Sequence, residues 1–255
     1  MNDTLENSGT DMGSNKKNFV FVHGAWSAPY AWETVKNKLQ EAGHAVNLIQ
    51  LPGHGHDHTD HKSLHMETYI AYVSAAITAM GEKVILAGHS MAGIIISGVA
   101  EEFPDLVEKL VYIAAYVPES GQSAYALSLL DKQSLLGASL LVSDDQSEFN
   151  IIRDDITNIF CQDGSDDAKQ LILDNYRAEP AAPFSHPVTL SAGKFGTVVK
   201  YYIQTLRDHG IGNHLQKEMI AAAEITGVYE LNTGHTPSLS APEELSNILI
   251  EIAQG

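Results

Sequence analysis

An apolar run that leads directly into a serine between small residues is the feature that most constrains the fold of this chain. Residues 83–93 read KVILAGHSMAG, a pattern typical of a buried strand, a turn at Ser90 and the start of a helix. Such a turn needs small residues beside the serine, because bulky side chains would clash with the strand or the helix. The pattern predicts a nucleophile elbow, which exposes a serine hydroxyl. The usual G-x-S-x-G pattern has Ala92 at its last position here, with Gly93 one residue later.

Composition narrows the class of protein. The 255 residues suffice for one large α/β domain with a substantial core. The 15 basic and 32 acidic residues give a formal charge of −17, which argues against nucleic acid, anionic membranes or polyanions as partners. The single cysteine, Cys161, excludes an internal disulfide and suits a reducing compartment. Residues 1–18 are polar, lack a signal-peptide core and predict a disordered lead-in to a cytoplasmic protein.

Short apolar runs alternate with longer helical patterns, which predicts a mostly parallel sheet of about six strands flanked by helices. The predicted strands are Phe19–Val22, Ala45–Leu51, Lys83–Ala87, Leu110–Ala115, Val198–Leu206 and Glu224–Leu231. The predicted helices are Tyr30–Ala42, Met66–Met80, Ala92–Phe103, Asn213–Ala223 and Pro242–Ala253. Ser240 and Glu243 predict a capping box at the last helix.

The alternation stops over residues 118–196, so the predicted α/β core comprises residues 19–117 and 197–255. The interrupting segment is too long for a simple connection, and it contains the helical stretches Tyr125–Leu136 and Asp166–Tyr176. We interpret it as a helical cap insertion over the carboxyl ends of the strands, where open α/β sheets bind ligands. A surface excursion without a role in substrate binding is the alternative.

A catalytic triad is the chemistry that the elbow predicts. A serine hydroxyl is a poor nucleophile unless an adjacent base, held by a carboxylate, activates it. In this arrangement the partners follow the serine in the order acid, histidine. The candidates are Asp208, two residues beyond a predicted strand, and His235, just beyond the last strand. The acid is the weakest assignment, and its competitors are Asp105, Asp163, Asp166 and Asp167.

The same chemistry needs N–H donors for the developing oxyanion. One candidate is the backbone N–H of Met91, directly after the nucleophile. The second is the backbone N–H of Ala25, in the turn FVHGAW that follows the first strand. Gly24, Trp26 and His89 surround these positions and are predicted to contact the substrate.

A histidine-rich segment after the second strand suggests a metal site. Residues 51–61 read LPGHGHDHTDH, which nearly matches the H-x-H-x-D-H ligand pattern but lacks one residue. No second ligand cluster is evident elsewhere, so we expect no functional metal. The alternative, which we favour, is a Gly-rich loop near the site entrance whose histidines are mostly solvated. Cys161 is expected to be an inert residue of the cap.

Together these motifs resemble the compact α/β-hydrolase family of bacterial carboxylesterases, salicylate-type methylesterases and hydroxynitrile lyases. The resemblance extends from Phe19 to the C-terminus, apart from the cap. It implies Ser90, Asp208 and His235 as the triad and Ala25 and Met91 as the oxyanion hole. Glycine is common in the family where this chain has Ala92, so the helix is expected to lie slightly further from the strand. The lyase branch carries threonine at the position of Gly24 and lysine at that of Thr236, and both markers are absent here.

The resemblance implies a serine esterase that forms an acyl-enzyme and requires no cofactor or metal. The expected substrate is a small, fairly apolar and uncharged ester or lactone. Two alternatives stay open: a lyase or cofactor-free oxygenase that uses the same triad, and a small-molecule receptor that retains it. The sequence does not distinguish a monomer from a homodimer.

Overall fold

The six predicted core strands form one parallel sheet in the computed structural model, which describes residues 16–255. The prediction for residues 1–15 therefore lies outside the described residues, and Asn18 already belongs to the first strand. Within the described part, the strands are β1 Asn18–Val22, β2 Ala45–Ile49, β3 Val84–His89, β4 Val107–Ile113, β5 Leu140–Val142, β6 Glu148–Ile151, β7 Glu179–Pro180, β8 Val199–Thr205 and β9 Gly227–Leu231. The large sheet has the order β2-β1-β3-β4-β8-β9. The predicted α/β-hydrolase fold is confirmed.

Helices cover both faces of this sheet. Their bounds are α1 Glu33–Glu41, α2 Met66–Met80, α3 Ala92–Glu102, α4 Ala124–Ser128, α5 Leu136–Ser139, α6 Ile156–Phe160, α7 Asp166–Asn175, α8 Ala182–Ser185, α9 Asn213–Ala222, α10 Pro237–Ser240 and α11 Pro242–Gln254. Among residues 16–255, every helix is too short or too polar to cross a membrane.

Successive side chains of a strand point to opposite faces of the large sheet, and each face carries one hydrophobic cluster. In β1, Val20 and Val22 belong to the cluster shared with α2, α3 and α9, while Phe19 and Phe21 belong to the one shared with α1 and α11. This follows from the two-residue period of a strand. Because both faces are buried, the sheet is a rigid base whose carboxyl ends can hold a site in place.

The predicted capping box at α11 is wrong. Ser240 is the last residue of α10, a short helix that begins at Pro237, and its hydroxyl donates to the Thr236 carbonyl 3.4 Å away. Ala241 therefore precedes α11, and no side chain caps this helix. Ser240 therefore belongs to the additional short helix α10 instead of preceding α11, as the sequence pattern predicts.

The segment 118–196 contains α4–α8 together with a small antiparallel sheet of order β5-β6-β7. A purely helical cap was expected, so this sheet is an addition to the prediction. The stretch Tyr125–Leu136 is helical only over α4 and the first residue of α5. Trp26, in the turn after β1, packs against Phe160 and Phe184 of the segment, with ring centroids 5.6 Å away in each case. We call residues 118–196 the cap.

Candidate active site

Ser90 lies in a strained turn between β3 and α3. Its φ is +56°, a left-handed conformation that non-glycine residues adopt only where the surrounding structure imposes it. A Cβ on Gly24 would lie 2.8 Å from the Ser90 Cβ, and one on Gly88 would lie 2.9 Å from the Ala92 carbonyl oxygen. The two glycines therefore allow the turn after β1 and the start of α3 to approach the serine closely.

His235 lies within hydrogen-bonding distance of both proposed partners. Its Nε2 is 3.0 Å from the Ser90 Oγ, and its Nδ1 is 2.9 Å from each Asp208 carboxylate oxygen. A carboxylate only accepts, so Nδ1 carries the proton and Nε2 can accept the serine proton. The structure thus brings the three predicted residues into one chain of hydrogen bonds.

The Asp208 carboxylate is buried and held by four further donors. The N–H groups of Gly210 and Ile211 donate to Oδ1 over 2.7 and 2.8 Å. The Thr205 hydroxyl and the Gln216 amide donate to Oδ2 over 2.7 and 3.0 Å. These bonds fix the carboxylate in the orientation that accepts from His235. Neither Thr205 nor Gln216 is predictable from the sequence, because no local pattern distinguishes them.

The competing acids lie elsewhere. Asp163 comes nearest, but its Oδ2 accepts from the Gly234 N–H at 2.8 Å and so supports the loop that carries His235. Asp166 and Asp167 begin α7, and Asp105 precedes β4 at the opposite end of the sheet. The structure does not bring these three to the His235 ring.

Ala25 and Met91 both offer free backbone N–H groups beside this chain of bonds. Among residues 16–255, neither N–H has a protein acceptor. Buried N–H groups are rarely left without an acceptor, so two of them on the turns after neighbouring strands β1 and β3 suit an oxyanion-binding role. Ala25 also lines a cavity of about 20 Å³ together with His235.

The three residues predicted to contact the substrate surround Ser90 in different ways. Gly24 provides the close approach described above. Trp26 and His89 line the same small cavity. The His89 Nε2 also donates to the His235 carbonyl over 2.7 Å, which helps to position the loop that carries His235. Burial and the nearby His235 lower the pKa of His89 to about 3, so its ring is neutral at physiological pH.

A mostly apolar pocket lies between Trp26 and the cap. It has a volume of about 270 Å³, and its walls include Trp26, Tyr125, Phe149 and Phe184. The Trp26 indole donates to the Phe149 carbonyl over 3.0 Å, which fixes the ring between the two cavities. This tryptophan therefore lines both the apolar pocket and the small cavity beside His235.

The histidine-rich loop differs from the prediction at two of its four histidines. One of them is His61, whose side chain is only 11% exposed. His56 and His58 are exposed, as expected, but His54 is only 3% exposed and lies 2.8 Å from the buried carboxylate of Glu179. The expectation that this histidine is solvated is wrong, because β7 of the cap packs over the loop. Among the residues that the structure describes, no group of three or more His, Cys, Asp or Glu side chains is arranged to hold a metal ion.

Cys161 is buried in the cap, as expected for an inert residue. Burial and the charge of Asp163 raise the pKa of its thiol to about 11. A thiol of this kind is a poor nucleophile at neutral pH, since the thiolate is the reactive form.

Comparison with known proteins identifies the family. A longer relative from Arabidopsis thaliana, whose name marks it as chloroplastic, is 30% identical over 92% of this chain, and the chain spans 64% of that relative's length. Methylesterase 7 of Arabidopsis thaliana is 28% identical over 94% of the chain and 97% of its own length. The crystal structure of a pyrethroid hydrolase from Sphingobium faniae JZ-2 has a TM-score of 0.82 at 23% identity, covering 94% of this chain and 98% of the other.

The family model described as "Alpha/beta hydrolase family" matches residues 19–248. This match spans both parts of the core and the cap. The resemblance inferred from the motifs is confirmed: the chain belongs to the alpha/beta hydrolase family.

Proposed function

We propose that the protein is a serine hydrolase that cleaves small, uncharged carboxylic esters through an acyl-enzyme on Ser90. The observation that carries this proposal is the continuous chain of hydrogen bonds from Asp208 through His235 to the Ser90 hydroxyl. The names of the relatives, methylesterase and pyrethroid hydrolase, agree with ester cleavage. A lactone is an internal ester and falls under the same chemistry.

In the first half-reaction, the His235 Nε2 takes the Ser90 proton while Oγ attacks the ester carbonyl. The imidazolium that forms is stabilised by Asp208, which also fixes the tautomer. When the tetrahedral intermediate collapses, the ester C–O bond breaks and the imidazolium gives its proton to the leaving alcohol. Water then attacks the acyl-enzyme with His235 again as the base, and the acid is released.

The N–H groups of Ala25 and Met91 are the proposed oxyanion donors. Both are already in place and have no acceptor among residues 16–255. Binding an oxyanion would therefore break no existing protein hydrogen bond. Fixed donors of this kind stabilise charge that develops only in the transition state.

The proposed substrate follows from the cavities and the charge. The cavity beside His235 is small, while the apolar pocket beyond Trp26 has a volume of about 270 Å³. An apolar group of the ester would match the pocket beside Trp26, while the small cavity beside His235 leaves room only for a compact group there. The formal charge of −17 disfavours anionic esters.

Space around Gly24 favours hydrolysis over lyase chemistry. A side chain there would begin 2.8 Å from the Ser90 Cβ and 2.9 Å from the His89 Nδ1. The threonine that the lyase branch carries at this position would not fit without movement of the elbow. This supports ester cleavage as the better assignment.

The test is hydrolysis of p-nitrophenyl acetate, butyrate and octanoate by the wild type, Ser90→Ala and Cys161→Ala. Cys161→Ala is the matched control, because it removes the single thiol while leaving the proposed triad intact. We expect turnover by the wild type and the control, and its loss in Ser90→Ala. If Ser90→Ala remains active, Ser90 is not the nucleophile. Tight binding of an ester or its product acid without turnover would favour a receptor instead.

A further inference from the structure

The turn that presents the Ala25 N–H is strained at its next residue. Trp26 has a φ of +55°, in the left-handed region that bulky residues avoid. Its backbone N–H donates to the Glu179 Oε2 over 2.7 Å. Glu179 belongs to β7 of the cap and is fully buried. A carboxylate from the cap thus holds the residue that directly follows the proposed oxyanion donor.

The same carboxylate oxygen contacts His54 of the histidine-rich loop. The His54 Nε2 is 2.8 Å from the Glu179 Oε2, and its Nδ1 is 3.0 Å from the Pro52 carbonyl oxygen. The Pro52 carbonyl can only accept, and an ionised carboxylate likewise only accepts. Both ring nitrogens therefore carry protons in this arrangement, and His54 and Glu179 form a buried ion pair.

This pair has few other partners. Among the described residues, the second oxygen of Glu179, Oε1, has no hydrogen-bond partner, nor does the nearby buried hydroxyl of Tyr69. Burying two charges costs solvation that a single contact rarely recovers, so such a pair is weak evidence of a role in stability. Its contact with the Trp26 N–H points to a role in the geometry of the turn.

We propose that Glu179 and His54 act as a positioning pair, in which the His54 cation holds the Glu179 carboxylate on the Trp26 N–H and thereby fixes the Ala25 N–H for the oxyanion. The proposal rests on the function proposed above, since it needs Ala25 as a donor. Neither residue touches the reacting atoms. Their effect passes through the backbone of the turn, so it appears in the rate of the chemical step more than in substrate binding.

The pair makes activity sensitive to alkaline pH. Burial lowers the pKa of His54, but the charge and hydrogen bond of Glu179, with the Pro52 carbonyl, outweigh it and raise the pKa above 6.5. As the pH rises through this raised pKa, His54 loses a proton, one of its two contacts becomes repulsive, and the hold on Trp26 weakens. The contribution of the pair to activity is therefore complete below this pKa and is lost as the pH rises through it.

The other charged and titratable groups around the pair do not produce this decline. The positive charge of Arg177 lowers the pKa of His54, but the pKa of His54 stays above its usual value. Burial keeps the pKa of His23 well below 6.5, and burial also raises the pKa values of Tyr69 and Tyr176. Hydrogen bonds to the backbone and to Thr59 lower the pKa of Asp57, which reaches about 2. Of these groups, His54 is the one whose change of charge accounts for an alkaline decline.

Steady-state kinetics with p-nitrophenyl acetate between about pH 6 and about pH 9.5 test the pair in the full-length protein. Glu179→Ala removes the acceptor of the Trp26 N–H, and we expect kcat to fall about 10- to 100-fold with less than about a threefold change in KM. Glu179→Gln keeps an oxygen for that N–H but removes the charge. Its kcat is expected to fall less, and its alkaline decline is expected to disappear.

Arg177→Met is the matched control. Arg177 also ties the cap to the histidine-rich loop, donating to the carbonyls of Gly55 and Asp57 over 2.7 Å each, but it has no contact with Trp26. We expect its kcat near neutral pH to stay within about threefold of the wild type. Its alkaline decline is expected at higher pH, because a charge that lowers the His54 pKa is gone.

Two results would overturn the positioning pair. If the wild type hydrolyses the ester but Glu179→Gln retains the wild-type alkaline decline, His54 and Glu179 do not control the turn. If Glu179→Ala and Arg177→Met lose the same activity, Glu179 only anchors the cap. Either result leaves the serine esterase intact, whereas a wild type that is inactive on every ester would overturn both proposals.

Discussion

At the scale of single residues, several side chains hold the backbone around the proposed nucleophile and base in place. Ser90 and Trp26 both have positive φ, and each lies next to a proposed oxyanion donor. His89 holds the His235 carbonyl, while Asp163 holds the Gly234 N–H. The backbone of the loop that carries the proposed base is therefore fixed both before and after the His235 side chain.

His89→Gln tests the consequence of burying a neutral imidazole. The pKa of His89 is lowered to about 3, so the unfolded chain takes up a proton first and the fold loses stability as the pH falls below about 6.5. At pH 5 this costs about 2 kcal/mol relative to pH 7. Glutamine can still donate to the His235 carbonyl but does not titrate. Urea unfolding at both pH values is expected to show a smaller acid loss in the variant, and identical losses would contradict this reasoning.

The residues that sequence reasoning identified share one property, which is their place at the end of a predicted strand. Ser90 follows β3, Asp208 follows β8 and His235 follows β9, and parallel strands bring such positions to one edge. Glu179 lies in a two-residue strand of the cap, and Gln216 lies on α9. Glu179 contacts residues 153 and 125 positions away in the chain. Gln216 contacts Asp208, eight positions earlier, only because α9 folds back against the end of β8, and no local pattern encodes either contact.

At the scale of elements, the elbow depends on how closely α3 approaches the turn after β4. A Cβ on Gly93 would collide with the Tyr116 carbonyl oxygen and would lie 3.1 Å from the Ala115 Cβ. Gly93 therefore makes the close approach to this turn, while Ala92 is buried one position earlier. This accounts for the displaced glycine in the motif.

Gly93→Ala is accordingly expected to lower the free energy of unfolding by about 3 kcal/mol, because the added methyl overpacks a rigid backbone contact. Ala92→Gly is the control. It restores the usual G-x-S-x-G pattern and is expected to cost about 1 kcal/mol. Chemical denaturation of the three proteins measures both values. A Gly93→Ala protein as stable as the wild type would show that α3 can shift freely.

The elements of the core were predicted better than those of the cap for a physical reason. Strands buried on both faces are long apolar runs, and α2 is bounded by Met66 and Met80 in the prediction and in the structure alike. The cap strands have two to four residues, and part of β5 is exposed. Such strands depend on pairing partners from distant parts of the chain, so their residues carry little periodic signal.

At the scale of the whole molecule, the net charge is strongly negative, while the proposed reaction itself develops negative charge at the site. The formal charge of −17 produces a field that repels anions in solution and is screened by salt. Inside the site, the proposed donors act at close range, where screening is weak. The field should therefore affect which esters arrive more than how they react.

Salt dependence separates these two effects. For an anionic ester such as p-nitrophenyl hemisuccinate, kcat/KM is expected to rise several-fold between about 10 mM and about 0.5 M NaCl. For the neutral p-nitrophenyl acetate it is expected to change less than about twofold over the same range. If kcat/KM for the anionic ester instead falls as salt is added, a local cationic subsite lies near Ser90.

If Ser90 carries the acyl group, the acyl-enzyme is detectable by peptide mass spectrometry after acid quenching of a reaction with p-nitrophenyl butyrate. We expect a butyryl adduct on the peptide that contains Ser90 in the wild type, and none in Ser90→Ala. An adduct on a different residue, or ester turnover by Ser90→Ala at the wild-type rate, would contradict it.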